Sequence, residues 1–209
     1  MQVVIYGAEN AKEELMNKST QPGLVVETVS AIPSILDYPL ADAFFIFSFQ
    51  NTEEDLRVLR QLRRLVIVDS VINTLSEMDS SFVRINGWPG FMSSIIEAST
   101  LTEELKTGTE AVFTQFNKSI EWLADDPGFV TPRVISMIIN EAYFALEEKV
   151  STKENIDLAM KLGTAYPYGP FEWGQKIGLK NISSLLTRLS RDNKRYLPSA
   201  LLVKEAEET

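Results

Sequence analysis

Residues 127–178 read PGFVTPRVISMIINEAYFALEEKVSTKENIDLAMKLGTAYPYGPFEWGQKIG, and their pattern decides the fold of the C-terminal half. Pro127-Gly128 interrupts whatever precedes it. From Phe129 to Leu146 apolar residues recur too widely for a one-faced surface helix. Val130, Val134, Met137, Ile138, Ala142 and Ala145 mark one face, and Ile135, Ile139, Tyr143 and Phe144 occupy others. A helix apolar nearly all round is normally a buried one. Ser151, with Glu154 three residues on, predicts the capping box of a second helix, and Gly163 its close. Tyr166-Pro167-Tyr168-Gly169-Pro170 predicts a rigid turn, with Pro170 at the first position of a short helix that Gly178 stops. Within it, Asn140-Glu141 places a polar pair on an apolar helix, where a buried carboxylate needs a partner from another element.

Upstream the pattern changes. Gln2 to Tyr6, Leu24 to Val29, Ala43 to Phe49, Leu65 to Val68, Phe82 to Ile85, Ser94 to Ala98 and Ser119 to Leu123 predict strands. Glu9 to Asn17, Thr52 to Arg63 and Thr102 to Phe116 predict helices, with one helical turn at Asn73 to Met78. Strands alternating with short helices predict a parallel α/β sheet. The change to helix-only patterning puts a domain boundary near Asp125-Asp126, a pair read as a solvated, helix-capping turn, with a metal site as the alternative for which no third ligand is evident.

Composition excludes several function classes. The formal net charge of -9 disfavours nucleic acid and anionic membrane as partners. The absence of cysteine removes disulfides, thiolate nucleophiles and Cys-based metal sites. The N-terminus MQVVIYG reads as a strand rather than a secretory leader, and no apolar run is long enough to span a bilayer. These features predict a cytoplasmic protein without a bound metal. There is also no histidine, so the side chain best suited to proton transfer near neutral pH is missing.

The run PGFV…R…NEA, then ST-x-x-x-ID-x-AMKLG, then YP-x-GPFE-x-x-x-x-IGL, resembles the C-terminal helical domain of the 3-hydroxyacyl-CoA dehydrogenase family, over roughly Asp125 to Leu202. The resemblance implies a reduced Rossmann-like parallel-sheet domain over residues 1–124. An all-α dimerisation domain of the 6-phosphogluconate-dehydrogenase-C-like kind follows over 125–209. It also implies NAD as the family cofactor, a homodimer through the helical domain and an acyl-type small ligand.

The N-terminal half departs from that family at each chemical position. The dinucleotide fingerprint needs three glycines, and Gly7-Ala8-Glu9-Asn10-Ala11-Lys12 retains only Gly7 as a cofactor-binding candidate. A carboxylate at Glu9 opposes a pyrophosphate at the helix N-terminus. The stretch from Val29 to Asp42 is too short for the family's coenzyme A-gripping arm. In the family the active site is a His–Glu pair with an Asn and a Ser. Laid on Val83 to Glu97, its Glu falls on Glu97 and its His on Ile85, or on Asn86 with a shift of one residue. Its Asn falls on Pro132, and its Ser near Val71 or Ile72, beside Ser70. Glu97 is thus the one catalytic candidate, with Arg84 as a possible neighbour, and Ser70, Asn86 and Trp88 are the candidate crevice.

The expectation is a family member without NAD binding or hydride chemistry, acting in binding, scaffolding or regulation linked to acyl-CoA metabolism. A working NAD(P)-dependent oxidoreductase on a 3-hydroxyacyl-CoA or related hydroxy acid is the alternative. An inactive subunit paired with a full-length homologue is a third.

Overall fold

The computed structural model describes residues 1–17 and 19–209. The chain forms two compact units, Met1–Phe129 and Val130–Thr209.

The first unit is a seven-stranded sheet. Its strands are β1 (Gln2–Tyr6), β2 (Val25–Val29), β3 (Ala43–Ile46), β4 (Leu65–Asp69), β5 (Val83–Ile85), β6 (Ile95–Thr100) and β7 (Ser119–Trp122), in the order β2-β1-β3-β4-β5-β6-β7. Every pairing is parallel except β5 with β6. The sheet is thus predominantly parallel, as expected, with one antiparallel step between β5 and β6. The stretch 86–94 is too short for a helical crossover and returns the chain as an open hairpin.

Three helices cover the sheet: α1 (Glu9–Met16), α2 (Glu53–Leu59) and α3 (Glu104–Gln115). Strand alternation divides the core in two. Val3, Ile5, Phe45, Ile67, Ile85 and Ile96 meet α1 and α3, while Val4, Phe44, Ile46, Val66 and Val68 meet α2 and the 3-10 segments Ile32–Asp37 and Leu75–Glu77. Phe45 sits edge-on to Phe113 at 5.4 Å and Phe116 at 5.8 Å. Such aromatic pairs contribute roughly 0.5–1.5 kcal/mol each beyond their burial.

Among the described residues, two basic side chains are buried in this unit. Lys118 Nζ donates to the carbonyls of Glu14, Met92 and Ser93 at 2.6–2.9 Å. Arg84, wholly buried on β5, lies 2.9 Å from Asp125 through Nε, an ion pair without hydrogen-bond alignment. Its other nitrogens donate to the carbonyls of Ser70, Val71 and Asp126, and Phe129 covers the guanidinium face at 4.1 Å. The Asp125 carboxylate also caps the Leu75–Glu77 turn through Leu75 N–H at 2.8 Å. Asp125 is therefore a capping residue as read, but its side chain is buried at 7% exposure rather than solvated.

The second unit holds α4 (Thr131–Glu147), α5 (Lys153–Thr164), α6 (Pro170–Ile177), α7 (Leu179–Ser190) and α8 (Ala200–Glu207). Pro170 opens α6 and Gly178 ends it, as expected. The cap of α5 is Thr152, whose hydroxyl accepts from Asn155 N–H, rather than Ser151. Gly163 lies inside α5, which ends one residue later at Thr164 and is followed by Ala165 with φ +56°. Asp157 reaches from α5 to accept the N–H groups of Phe171 and Glu172, capping α6. The side-chain amide of Asn140 is satisfied by Leu197 carbonyl and Ser199 N–H, while Glu141 is exposed and so needs no partner.

α4 packs against α6, α7 and α8 through Ile135, Ile139 and Tyr143. Its Val130–Val134 side is left open within the chain, each valine being 53% exposed.

Removing the Arg84 charge strands Asp125 in a desolvated site, a change that typically costs about 3–5 kcal/mol. We expect Arg84→Met to lower the urea midpoint of the chain sharply. Lys12→Met, which breaks only an exposed pair with Glu9, should leave it near the wild-type value. Equal midpoints for the two variants would refute the role given to Arg84.

Candidate functional site

In an open parallel sheet ligands bind beyond the carboxyl ends of the strands, where the strand order reverses. Here that point lies between β1 and β3, flanked by Gly7 and Phe47. Phe47 N–H donates to Tyr6 carbonyl at 2.8 Å, so the β1–β3 ladder continues past the strand ends. Gly7 has φ +116°, and a Cβ on it would overlap the Phe47 carbonyl. Close approach of β3 therefore requires a glycine here. Past the turn, α1 begins with no side-chain cap at Ala8 and with Glu9 in its first turn. Glu9 itself supplies negative charge to the helix N-terminus.

The other candidates lie around β5 and β6. Asn86 is 1% exposed and uses its whole side chain. Its Nδ2 donates to Glu97 Oε2 at 3.0 Å, and its Oδ1 accepts Trp88 N–H at 3.2 Å. Main-chain N–H of Asn86 also meets Glu97 carbonyl at 3.0 Å. Glu97 is half-buried on β6, and the structure gives it Asn86 as a partner, whereas the carboxylate paired with Arg84 is that of Asp125. Ile85, the other position on which the family's His was laid, is core. Trp88 is buried at 5% exposure. Ser70 is drawn into its own turn, its hydroxyl donating to Asn73 carbonyl at 3.1 Å. The structure thus brings Asn86, Trp88 and Glu97 together and leaves Gly7 at a separate strand end. Among the described residues no cluster of three His, Cys, Asp or Glu could hold a metal ion.

Sequence reading missed Asp69. It ends β4 after four apolar residues, in register with Ile85. Alternation puts it on the face of Ile67 and Ile96, opposite Glu97 and Asn86. Its Oδ1 accepts Gly87 N–H at 3.0 Å, and a Cβ on Gly87 would sit 2.5 Å from the Asp69 carboxyl carbon. Desolvation by burial raises its pKa to about 6, the Gly87 hydrogen bond opposing the shift. The signal available in the sequence was a carboxylate closing an apolar strand, LVIVD.

That displaced acidity has a sign. Between about pH 4 and pH 6 the native chain holds a proton that the unfolded chain has released. Stability from this group therefore falls as pH rises through that window, and the penalty is complete above it. A shift of this size corresponds to on the order of 3 kcal/mol. We expect Asp69→Asn, which keeps the acceptor for Gly87, to stabilise the chain at pH 8 and to bring a much smaller gain at pH 4. Urea midpoints at the two pH values check it, and an equal shift at both would count against it.

Comparison with known proteins places these features. Residues 128–208 match the family described as 3-hydroxyacyl-CoA dehydrogenase, C-terminal domain. The chain is 43% identical over 94 residues to the 3-hydroxyadipyl-CoA dehydrogenase of Escherichia coli K12, covering 44% of this chain and 20% of that protein. It is 38% identical over 95 residues to a 3-hydroxybutyryl-CoA dehydrogenase of Bradyrhizobium diazoefficiens, covering 44% of this chain and 32% of that one. The matches thus span well under half the length of these relatives. The crystal structure of (S)-3-hydroxybutyryl-CoA dehydrogenase PaaH1 from Ralstonia eutropha superposes with TM-score 0.75 at 18% identity, over 99% of this chain and 93% of that one. FadB2 of M. tuberculosis superposes with TM-score 0.77 at 14% identity over the same shares. At such identities the likeness is one of fold, and it extends over both units, so the reduced Rossmann-like sheet and the helical unit are the architecture of those enzymes. Over residues 128–208 the helical unit is thus similar to the C-terminal domain of the 3-hydroxyacyl-CoA dehydrogenase family.

Proposed function

We propose that this protein is a catalytically inactive member of its family, with a binding, scaffolding or regulatory role linked to acyl-CoA metabolism. The observation that carries the reading is the Asn86–Glu97 hydrogen bond at 3.0 Å. The resemblance lays the family's His–Glu pair on this region, with Asn86 one residue from the aligned His. An amide in that place orients a carboxylate but does not take up and return a proton near neutral pH. Loss of a positioned base alone costs on the order of 10²–10⁴-fold in rate. Phe47 against Gly7 and Glu9 at the head of α1 further support the absence of tight dinucleotide binding. Pro132, where the family's Asn falls, has neither donor nor acceptor in its side chain.

A working oxidoreductase is the competing reading, and Asp69 is the observation in its favour. Its pKa of about 6 suits a general base. Sheet alternation, however, holds it on the opposite face from Asn86 and Glu97.

The self-association expected of the helical unit has support in its own surface. Val130 and Val134 on α4, Val150 after it, and Leu158 and Leu162 on α5 are 51–79% exposed. We place the partner helical unit of a homodimer there, since exposed apolar patches of this kind mark interaction sites. No helix among the described residues is long and apolar enough to cross a membrane.

Three measurements decide between these readings. Calorimetry with NAD and NADH should give no binding in the low micromolar range. NADH oxidation with acetoacetyl-CoA at high protein concentration should stay at background. Turnover that disappears in Glu97→Gln or Asp69→Asn would return the protein to the enzymes. Light scattering should report a dimer that Leu158→Glu with Leu162→Glu converts to monomer, and a wild-type monomer at tens of micromolar, a concentration at which an interface of standard size is normally occupied, rules out the proposed association.

A further inference from the structure

The chain contains one Asn-Gly pair, Asn86-Gly87, and three groups converge on it, from Asp69, Trp88 and Glu97. We propose that Asn86-Gly87 is a self-modification site, at which the Gly87 nitrogen attacks Asn86 Cγ to form a succinimide that water opens to aspartate or isoaspartate.

Each part of that reaction has a group in place. The nucleophile is the main-chain nitrogen of Gly87, and glycine carries no Cβ to crowd its approach. The position is restricted to glycine by Asp69 itself, whose carboxyl carbon lies 2.5 Å from where a Cβ would stand. The same carboxylate accepts the Gly87 N–H at 3.0 Å, so the base touches the proton that must leave. Negative charge develops on Asn86 Oδ1 as the nitrogen adds, and Trp88 N–H already donates to that atom at 3.2 Å. The leaving nitrogen, Nδ2, contacts Glu97 Oε2 at 3.0 Å. Asp69 and Glu97 thus reach the dipeptide from opposite faces of the sheet. Burial holds the Asp69 pKa at about 6, which leaves it ionised yet basic at neutral pH.

The balance closes without an added reagent. The Gly87 N–Asn86 Cγ bond forms, and the Gly87 proton passes to Asp69. The Cγ–Nδ2 bond breaks, and the departing nitrogen leaves as ammonia with one proton from solvent, to which Asp69 returns the proton it took. One water then opens the ring. The net change is amide plus water to acid plus ammonia, with no oxidation or reduction. Either product adds a carboxylate beside Glu97. The isoaspartate product also inserts a methylene into the main chain just past β5, where Asn86 N–H meets Glu97 carbonyl.

The experiment incubates the full chain at neutral pH, natively and in concentrated urea. Tryptic peptide mass spectrometry follows conversion at residue 86, with enzymatic detection of isoaspartate. General-base assistance is worth on the order of 10²-fold or more. Conversion of Asn86 should therefore be at least about 10-fold faster in the folded chain than in the unfolded one, where only the intrinsic reactivity of the dipeptide operates. Asp69→Asn should remove that advantage in a chain whose circular dichroism is unchanged. Folded-state conversion that is slower than unfolded would overturn the proposal, because hydrogen bonding would then be protecting Asn86. Equal folded-state rates in wild type and Asp69→Asn would overturn the role of Asp69 and, with it, the proposal. The native-to-unfolded comparison needs no variant, so it decides the matter even if Asp69→Asn fails to fold.

Discussion

A guanidinium removed from water must be surrounded by acceptors, and in this protein that requirement is met at Arg84. Burying such a charge is expensive, and the cost is offset only when geometry supplies nearly every partner. Asp125 provides the countercharge, three carbonyls take the outer nitrogens, and the ring of Phe129 closes one face. These partners come from the turn after β4 and from the segment that leaves the sheet after β7. One side chain therefore ties the turn after β4 to the segment that follows β7. Gly128 N–H reaches Val71 carbonyl at 2.7 Å in the same place. Burial pulls the Arg84 pKa down and the neighbouring carboxylates push it back up, which is the same balance seen as protonation.

Two glycines tell a related story about what lies at the strand ends. In an open nucleotide-binding turn, glycine makes room for a ligand. At Gly7 the room is taken by the protein's own Phe47 carbonyl, and at Gly87 by the carboxyl of Asp69. The polar groups nearby are likewise turned on one another, with Asn86 between Glu97 and Trp88 and Ser70 on Asn73. At this end of the sheet the polar side chains are satisfied by hydrogen bonds internal to the chain. That filling is the physical content of the inactive reading.

The helical unit is organised by side chains that reach across helix ends. Asp157 caps α6 from α5, Asn140 holds the Leu197–Ser199 segment, and Glu205 on α8 binds Tyr143 at 2.7 Å and Lys153 at 2.6 Å. Burial and the Glu205 carboxylate raise the Tyr143 pKa, while Lys153 and Tyr143 overcome desolvation to lower that of Glu205. These contacts tie the helices together around a core that includes Ile139, Leu185, Leu186 and Leu202, while Val134, Leu158 and Leu162 remain exposed.

The helical unit was largely legible in the sequence because its signals are local. Pro170, Gly178 and the periodicity of 127–178 act within a turn or two of chain, and the strands were visible from their β-branched and aromatic runs. The start of α5 differs by one residue because Ser151 and Thr152 are both cap-forming types, and it is Thr152 whose hydroxyl accepts Asn155 N–H. The candidate site was legible only as absences: no histidine, one glycine of three, a proline for an asparagine. Its positive features were decided by tertiary structure. That Arg84 pairs with Asp125 rather than Glu97, that β6 runs antiparallel, and that Asp69 rests on Gly87 are contacts between residues 13–41 positions apart in sequence. No local pattern encodes them, since they depend on which strand lies beside which and on the face to which each side chain points.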